Sequence, residues 1–303
     1  MIEYILILLS VVCFAAQFAF TKLYEDAVGQ SISTSLVMLV GTSLVGAVLF
    51  FSVNGFRIDF SPVSAAWAVC FAVIMIPYYL IGIKVLSLGS LAVYSMFMML
   101  GGMLVPFFYG VCFLGEQPSV AKLLGTALLV VFIILQALGQ GKTAREREAD
   151  RRASGLFFVL CVVIFFINGM TGVIAKAHSI SEGAVNEPSF TATYCALTSI
   201  LSLSILLISC LKNGGEKARA IKGALSIKPL AVMVLLGAAA YGGNFLQLLA
   251  ADKVPASVQF PLVSGGVIAL SAVVSAVFFR EKLSKREWIS VAGAFVSTFL
   301  FAF

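Results

Sequence analysis

Charged residues are scarce in this sequence, and their scarcity excludes a water-soluble protein. Asp, Glu, Lys and Arg together make up 11% of the 303 residues, whereas hydrophobic residues make up 61%. Soluble domains usually carry about 25% charged and about 45 to 50% apolar residues. A soluble fold could not bury so large an excess of apolar side chains. The lipid bilayer must therefore be the solvent for most of the chain.

Histidine is almost absent, and the cysteines are dispersed. The single histidine, His178, has only Glu182 near it in the sequence, and the six cysteines lie in or at the ends of apolar runs without a CxxC pair. An enzyme at the membrane interface would need a constellation of His, Cys, Asp or Glu residues, and a metal or disulfide framework would need paired cysteines. We therefore expect no enzymatic activity, no cofactor and no bound metal.

Carboxylates are missing from the middle of the apolar runs. All fourteen acidic residues fall in predicted loops or at predicted helix ends. Proton-coupled antiporters commonly hold a buried carboxylate, because burial raises its pKa into the working range. This pattern disfavours proton coupling through a central acid and leaves facilitated diffusion, exchange or another coupling group. The net charge of +6 comes from basic residues in the connections, so we expect no nucleic-acid partner.

Long apolar runs dominate the rest of the sequence. About 20 apolar residues suffice for a helix to cross the hydrocarbon core, which is about 30 Å thick. We therefore predict an all-α integral membrane protein with ten transmembrane helices. Their approximate limits are Tyr4 to Thr21, Ser33 to Val53, Ala65 to Leu86, Ser90 to Leu114, Val120 to Leu138, Gly155 to Ala175, Phe190 to Leu211, Pro229 to Ala251, Pro255 to Phe279 and Glu287 to Phe303.

The two halves of the chain resemble each other. A constant shift of 165 residues superposes predicted helices three to five on helices eight to ten, and it places Gly101 on Gly266, Phe113 on Phe278, Glu116 on Glu281 and Ser119 on Ser284. We therefore divide the chain into a first repeat at 1–138, a charged linker at 139–154 and a second repeat at 155–303. Five helices is an odd number, so the second repeat must be inverted in the membrane.

Several local signals refine this prediction. The connection at 212–228 is predicted to be a polar linker, and three prolines inside apolar runs, Pro77, Pro106 and Pro261, are predicted to break or kink their helices. Glu116 and Glu281 are interpreted mainly as residues that start a helix or lock a loop. Most Lys and Arg residues lie in the odd-numbered connections, which the positive-inside rule places in the cytoplasm, with both termini outside.

The junction Phe113-Leu-Gly-Glu116 and the junction Phe279-Arg-Glu281-Lys-Leu-Ser resemble the ten-helix EamA-type branch of the drug/metabolite transporter superfamily. The resemblance spans nearly the whole chain and includes Lys22 and Lys176, which close the first helix of each half. The tryptophan-glycine usual in the first helix of the family is replaced by Phe14-Ala-Ala-Gln17. The resemblance implies a secondary transporter of small metabolites in the inner (plasma) membrane of a bacterium, working by alternating access and not driven by ATP.

Polar residues inside the apolar runs are the candidates for substrate binding. The 165-residue shift pairs Tyr79 with Asn244 and Tyr94 with Gln259, as a central site on a pseudo-two-fold axis would require. Each of these residues could instead bond to a neighbouring helix or lie at the membrane interface. The same two readings apply to the other candidates, Tyr78, Tyr241, Gln247, Gln17 and Asn168.

The chemistry of these candidates suits an amphipathic or zwitterionic solute such as an amino acid, because aromatic faces stand beside amide donors and acceptors. The partners expected are therefore the lipid bilayer and a small-molecule substrate; the sequence does not define an oligomeric state. Two alternatives stay open: export of hydrophobic drugs or dyes, and a membrane receptor without transport activity. Paired glycines, Gly101-Gly102, Gly242-Gly243 and Gly265-Gly266, are predicted to let helices pack closely.

Overall fold

The fold is all helical throughout the part of the chain that is described. The computed structural model describes residues 2–29, 31–115, 117–138, 147–212, 214–251, 254 and 256–300. These ranges contain eleven α-helices and no strand. The helices are α1 (Ile2–Val28), α2 (Ile32–Val53), α3 (Pro62–Leu88), α4 (Leu91–Phe113), α5 (Val120–Leu138), α6 (Arg147–Ser179), α7 (Glu187–Lys212), α8 (Gly214–Ala224), α9 (Ile227–Ala251), α10 (Ala256–Val277) and α11 (Lys285–Phe299).

Within the described ranges, seven helices are long and apolar enough to cross a membrane, namely α1 to α4, α6, α7 and α9. Shorter apolar helical segments occur at Val120–Phe132 and Leu262–Val277. Large apolar side chains face outward from the long helices; Leu8, Val48 and Leu207 are each more than half exposed. Contiguous exposed apolar surface of this kind is unfavourable in water and favourable in lipid. The chain is therefore a multi-pass integral membrane protein, as its composition predicts.

The predicted helix limits are wrong at three places. Helix α1 continues to Val28 instead of ending at Thr21, and α6 begins at Arg147 instead of Gly155. Residues 147–154 of the predicted linker are therefore helical, whereas residues 139–146 lie outside the described residues. The predicted polar linker at 212–228 contains α8. Glu, Lys, Arg and Ala have high helix propensity, so a helix can continue through a polar segment that the hydropathy pattern assigns to a loop.

No helix breaks at the three prolines for which the sequence predicts a break or a kink. Helix α3 runs through Pro77, α4 runs through Pro106 and α10 runs through Pro261. Transmembrane helices tolerate proline because neighbouring groups and small local adjustments satisfy the backbone carbonyl that loses its partner. The Pro106 ring packs beside Gly172 of α6, where an added Cβ would lie 2.6 Å from its Cγ. This proline therefore contributes to helix packing.

The chain forms two compact units. Unit 1 contains Met1–Ala19, Val85–Gly172 and Gly243–Phe303, and unit 2 contains Phe20–Lys84 and Val173–Gly242. Each unit therefore draws helices from both predicted repeats, 1–138 and 155–303. Neither half of the sequence corresponds to one compact unit.

In unit 2, α2 packs along α7 in the antiparallel direction. The Asn54 side chain, which follows the end of α2, donates a hydrogen bond of 2.8 Å to the Ser189 hydroxyl near the start of α7. Further along both helices, the Ser199 hydroxyl donates to the Val40 carbonyl at 3.1 Å. The residue number falls in α2 as it rises in α7, so the two helices run in opposite directions. These are the second helices of the two predicted repeats.

In unit 1, α4 packs against α10, and α5 packs against α11. The Leu91 N–H at the start of α4 donates a 3.0 Å hydrogen bond to the Glu281 carboxylate, which follows the end of α10. The Phe132 ring of α5 covers Gly293 of α11, where an added Cβ would lie 2.1 Å from the ring. Both packed pairs are helices that the 165-residue shift makes equivalent. The start of α4 lies beside the end of α10, so these two helices run in opposite directions, as α2 and α7 do.

The turns that follow α4 and α10 share their local geometry. Gly115 has a φ of 69°, and Arg280, which lies 165 residues later, has a φ of 53°. Both residues are thus left-handed, the conformation that commonly ends a helix. The next helices then begin alike, because the Ser119 hydroxyl accepts the Lys122 N–H at 3.3 Å and the Ser284 hydroxyl accepts the Glu287 N–H at 3.3 Å. The turn is repeated although glycine occupies only one of the two left-handed positions.

Glu281 provides a first test of this arrangement. Its carboxylate accepts hydrogen bonds from the Leu91 N–H and from the Ser275 hydroxyl, and Leu91 is fully buried. We expect Glu281→Ala to lower the free energy of unfolding by about 1 to 3 kcal/mol, because a buried backbone donor loses its acceptor. Glu281→Gln keeps an acceptor oxygen, so its cost should be smaller. Thermal unfolding of the purified protein in detergent measures both effects.

The control for this series is Glu182→Ala, because Glu182 is exposed. This variant should unfold at the wild-type temperature. If Glu281→Ala did so as well, the carboxylate would not be holding the start of α4. Glu116 is the repeat-equivalent acid and lies outside the described residues, so the interpretation of that residue stays a prediction.

Candidate substrate-binding residues

Three tyrosines and a cysteine form a buried polar cluster in unit 2. The Cys195 thiol lies within hydrogen-bonding range of the side chains of Tyr194 and Tyr241, and Tyr79 interacts electrostatically with both Cys195 and Tyr241. Tyr79, Cys195 and Tyr241 are buried, and Tyr194 is half-buried. The cluster combines residues of α3, α7 and α9. It therefore concentrates hydroxyl and thiol groups among three otherwise apolar helices.

Aromatic rings surround this cluster. The Phe71 ring stacks on Tyr194 with their centroids 4.0 Å apart, and the Phe50 ring meets Tyr241 edge to face at 6.5 Å. The rings of Tyr78 and Tyr79 lie 5.3 Å apart. Such ring pairs contribute about 0.5 to 1.5 kcal/mol beyond the burial of their surface. The tyrosines are therefore held in place by their faces and edges, while their hydroxyl groups provide hydrogen-bonding capacity.

Glycines allow α9 to approach α2 closely enough to position Tyr241. A Cβ added at Gly46 would lie 2.6 Å from the Tyr241 ring, and one added at Gly237 would lie 2.9 Å from the Cβ of Val45. Any larger residue at these two positions would push the helices apart. Small residues at such contacts are usual between transmembrane helices, because packing drives their association.

The Tyr79 hydroxyl has a weak neighbour. It lies 3.3 Å from the Thr42 hydroxyl, which is long for a hydrogen bond between two hydroxyl groups. The Thr42 hydroxyl also donates to the Met38 carbonyl of its own helix at 2.8 Å. Because Thr42 has a single hydroxyl proton, it donates that proton along the shorter contact, to the Met38 carbonyl. The Tyr79 hydroxyl thus keeps hydrogen-bonding capacity that a bound solute could use.

In unit 1, the predicted pair Tyr94 and Gln259 is buried, but part of its polar capacity is used for packing. The Gln259 side-chain amide donates a 2.8 Å hydrogen bond to the backbone carbonyl of Gln247, in the last turns of α9. The Tyr94 ring meets Phe18 edge to face at 5.6 Å. The Gln259 side-chain oxygen remains an acceptor for a further partner. Gln259 therefore joins α10 to α9 and could also contact a solute.

Asn168 is explained by packing. Its side-chain amide donates a 2.6 Å hydrogen bond to the Met98 carbonyl of α4, and a Cβ added at Gly102 would lie 2.7 Å from that amide. The close approach of α6 to α4 thus depends on the glycine at 102, which leaves room for the Asn168 amide, and on the hydrogen bond that this amide donates. Of the two readings of Asn168, the structure favours the bond to a neighbouring helix.

The predicted candidates fall into both units. Unit 2 contains Tyr78, Tyr79 and Tyr241, and unit 1 contains Gln17, Tyr94, Asn168, Asn244, Gln247 and Gln259. The side chains of Tyr78, Gln17, Asn168 and Gln247 are half-buried, whereas Asn244 is exposed. The structure therefore brings Tyr79 together with Tyr241, a residue that the repeat shift does not pair with it.

Three relevant residues are missing from the sequence prediction. Tyr194 and Cys195 belong to α7, to which the 165-residue shift assigns no partner, so the shift could not select them. Glu25 is the one buried carboxylate in the part of the chain that the structure describes, with 5% exposure. The predicted first helix ends at Thr21 and leaves Glu25 in a connection, whereas α1 continues to Val28 and its last turns pack against the hydrophobic core of unit 2. A buried acid near a helix end is the residue to examine if transport depends on protons.

His178 contacts residues of two neighbouring helices. Its Nε2 lies 2.9 Å from the Ser64 hydroxyl, which also accepts the Val185 N–H at 2.9 Å. The imidazole stacks on Phe190 with the ring centroids 3.8 Å apart, and among the described residues its Nδ1 has no hydrogen-bond partner. These contacts join α3, α6 and the start of α7.

Within the described ranges, no group of three or more His, Cys, Asp or Glu side chains is arranged to hold a metal ion. Cys161 and Cys195 are buried, Cys13 and Cys210 are half-buried, and Cys70 and Cys112 are exposed; all six are free thiols.

Comparison with known proteins supports the fold only. No protein-family model matches the chain, and no curated protein matches it. A solved structure described only as a crystal structure of a protein is similar over 99% of this chain and 96% of its own, with a TM-score of 0.51 and 14% sequence identity. At this identity the likeness shows the fold alone, and it covers nearly the full chain. The class that fold and composition define is a multi-pass α-helical membrane protein.

Proposed function

We propose that this protein is a secondary transporter of small amphipathic metabolites, built from two inverted repeats of five transmembrane helices. The observation that carries the proposal is the antiparallel packing of equivalent helices, α2 on α7 and α4 on α10. A two-fold axis in the membrane plane turns one repeat upside down. Equivalent helices that meet near such an axis must therefore run in opposite directions.

The repeated turns support the same proposal. The left-handed residues Gly115 and Arg280 and the capping residues Ser119 and Ser284 are each separated by 165 residues. Arginine pays an energetic cost in the left-handed conformation that glycine avoids. Its presence there is explained most simply by a turn inherited from a common ancestor of both halves. On this proposal, α8 is the one described helix that belongs to neither repeat.

The buried polar groups indicate the class of solute. Buried hydroxyl, thiol and amide groups occur at Tyr79, Cys195, Tyr241, Tyr94 and Gln259, and aromatic rings contact Tyr79, Tyr241 and Tyr94. Polar side chains in a membrane protein are costly and usually mark a path for a solute. Aromatic faces bind the apolar part of an amphipathic molecule, and the hydroxyl and amide groups bind its polar part. Amino acids and related metabolites fit this description, and a bacterial inner membrane is the proposed location.

Liposome transport tests the proposal directly. Purified protein is reconstituted into liposomes, and a panel of labelled amino acids and related metabolites is followed across the membrane with and without counter-solute inside. We expect saturable transport of at least one solute, absent from protein-free liposomes. Gln259→Ala should lower its rate severalfold, whereas Gln117→Ala, a change at an exposed loop residue, should leave it unchanged.

Two other results would redirect the proposal. Movement of hydrophobic dyes but of no metabolite would favour drug export, which a resistance profile of overexpressing cells would test independently. If no solute moved and the metabolites outside cells were the same with and without the protein, transport itself would be refuted. A receptor or assembly role would then be the hypothesis to pursue, by identifying proteins that copurify with the chain.

A further inference from the structure

Helix α8 separates an apolar side from a basic side. The side chain of Ala224 is fully buried, and Ile221 packs against the hydrophobic core of unit 2. Helix α8 contacts α2 and α7 of that unit. Arg219 and Lys222, in contrast, are exposed. The helix is therefore docked on the transmembrane helices by one side and presents two cations on the other.

Exposed apolar residues lie in the turn after α8 and at the start of α9. Leu225 is 52% exposed and Ile227 is 86% exposed, and the next residue, Lys228, is exposed as well. A surface that faces only water would not place two large aliphatic side chains between cations. The boundary between lipid headgroups and acyl chains accommodates both types, since the aliphatic groups enter the acyl region and the cations remain among the headgroups.

We propose that α8 and the first residues of α9 form a binding surface for the headgroups of anionic phospholipids. The phosphate of such a lipid would interact with Arg219 and Lys222, while its acyl chains would cover Leu225 and Ile227. Basic residues at a membrane surface attract anionic lipids in this way. A soluble acidic protein or a nucleic acid would satisfy the cations but would leave Ile227 in water. The proposal requires only that the protein is embedded in a membrane, so it does not depend on transport.

The test is a lipid titration of the full chain in neutral detergent. Short-chain phosphatidylglycerol, short-chain phosphatidylcholine and glycerol 3-phosphate are each added, and the shift in melting temperature gives an apparent affinity, because a ligand that binds the folded state stabilises it. We expect phosphatidylglycerol to bind well, phosphatidylcholine to bind weakly and glycerol 3-phosphate to have little effect. The double variant R219Q/K222Q should bind phosphatidylglycerol about 20- to 30-fold more weakly.

Two further variants make the result specific. R57Q/K122Q removes the same charge, from the connection after α2 and from the first turn of α5, and should bind like the wild type. R219K/K222R keeps both charges on α8 and should retain most of the affinity, which also shows that the surface tolerates substitution. Unchanged phosphatidylglycerol binding by R219Q/K222Q would overturn the proposal. Equal binding of phosphatidylcholine, or equal stabilisation by glycerol 3-phosphate, would overturn it too, because the surface would then not recognise an anionic lipid.

Discussion

Replacing Gly101 by alanine is expected to destabilise the protein by about 3 kcal/mol or more, at the upper end of the range for overpacked sites. A Cβ at this position would lie 2.1 Å from the carbonyl oxygen of Phe165 and 2.7 Å from its carbonyl carbon. These are backbone atoms of α6, so no change of rotamer can relieve the clash. The two helices would have to separate, and the hydrogen bond from Asn168 to the Met98 carbonyl would be lost with them.

Two other glycines provide matched controls. Gly266 is the repeat equivalent of Gly101, but the three described atoms nearest to a Cβ there all belong to the side chain of Val11, the closest at 3.0 Å. Gly266→Ala should therefore cost about 1 kcal/mol or less, since a side chain can shift. A Cβ added at Gly155 would have no atom of the described residues within 4 Å, so Gly155→Ala should be neutral or slightly stabilising. Thermal unfolding in detergent should rank the three in this order, and equal melting of the first and third would refute the packing of α4 on α6.

This series also shows how far a sequence can predict packing. Paired glycines at 101–102 and 242–243 predict close helix contacts equally well. A Cβ added at Gly242, however, would have no atom of the described part of the chain within 4 Å. Composition identifies glycines that permit close approach, but only the facing helix determines which of them is approached. For the same reason Gly101 and Gly266, which occupy equivalent positions in the two repeats, can differ in their effect on stability.

The apolar runs predict the spanning helices well because the bilayer imposes one rule on all of them. Each run must satisfy its backbone groups internally, so length and hydropathy suffice for α2, α3 and α7. Helix α8 is outside the scope of that rule. Its polar residues and its glycines at 214 and 215 indicate a loop, and its stability depends on docking Ile221 and Ala224 against unit 2, a contact that local sequence does not reveal.

The sequence does not reveal the tyrosine and cysteine cluster of unit 2 for a similar reason. The repeat shift selects positions that are equivalent by sequence, such as Tyr79 and Asn244, but it has no information about which side chains converge. The structure places Tyr79 with Tyr241 and adds Tyr194 and Cys195 from α7. Their convergence depends on the close approach of α2 and α9 at Gly46, which is a property of three-dimensional packing.

Removing the Tyr79 hydroxyl should lower the transport rate much more than the stability of the protein. Tyr79→Phe removes one oxygen whose described contact, to the Thr42 hydroxyl, is 3.3 Å long. We expect a loss of less than about 1 kcal/mol in the free energy of unfolding, because that contact is weak. If the hydroxyl binds the solute, the transport rate at low solute concentration should fall about tenfold, the effect of losing one good hydrogen bond.

Tyr24→Phe is the matched control, since it removes the same atom from another buried tyrosine of unit 2. The Tyr24 hydroxyl donates a 3.0 Å hydrogen bond to the Thr34 carbonyl, so its loss should cost about 1 kcal/mol of stability and leave transport per folded molecule unchanged. The two variants should thus show opposite patterns in liposome transport and thermal unfolding. If Tyr79→Phe melted lower than Tyr24→Phe but transported normally, Tyr79 would be a packing residue, and the solute would have to bind elsewhere.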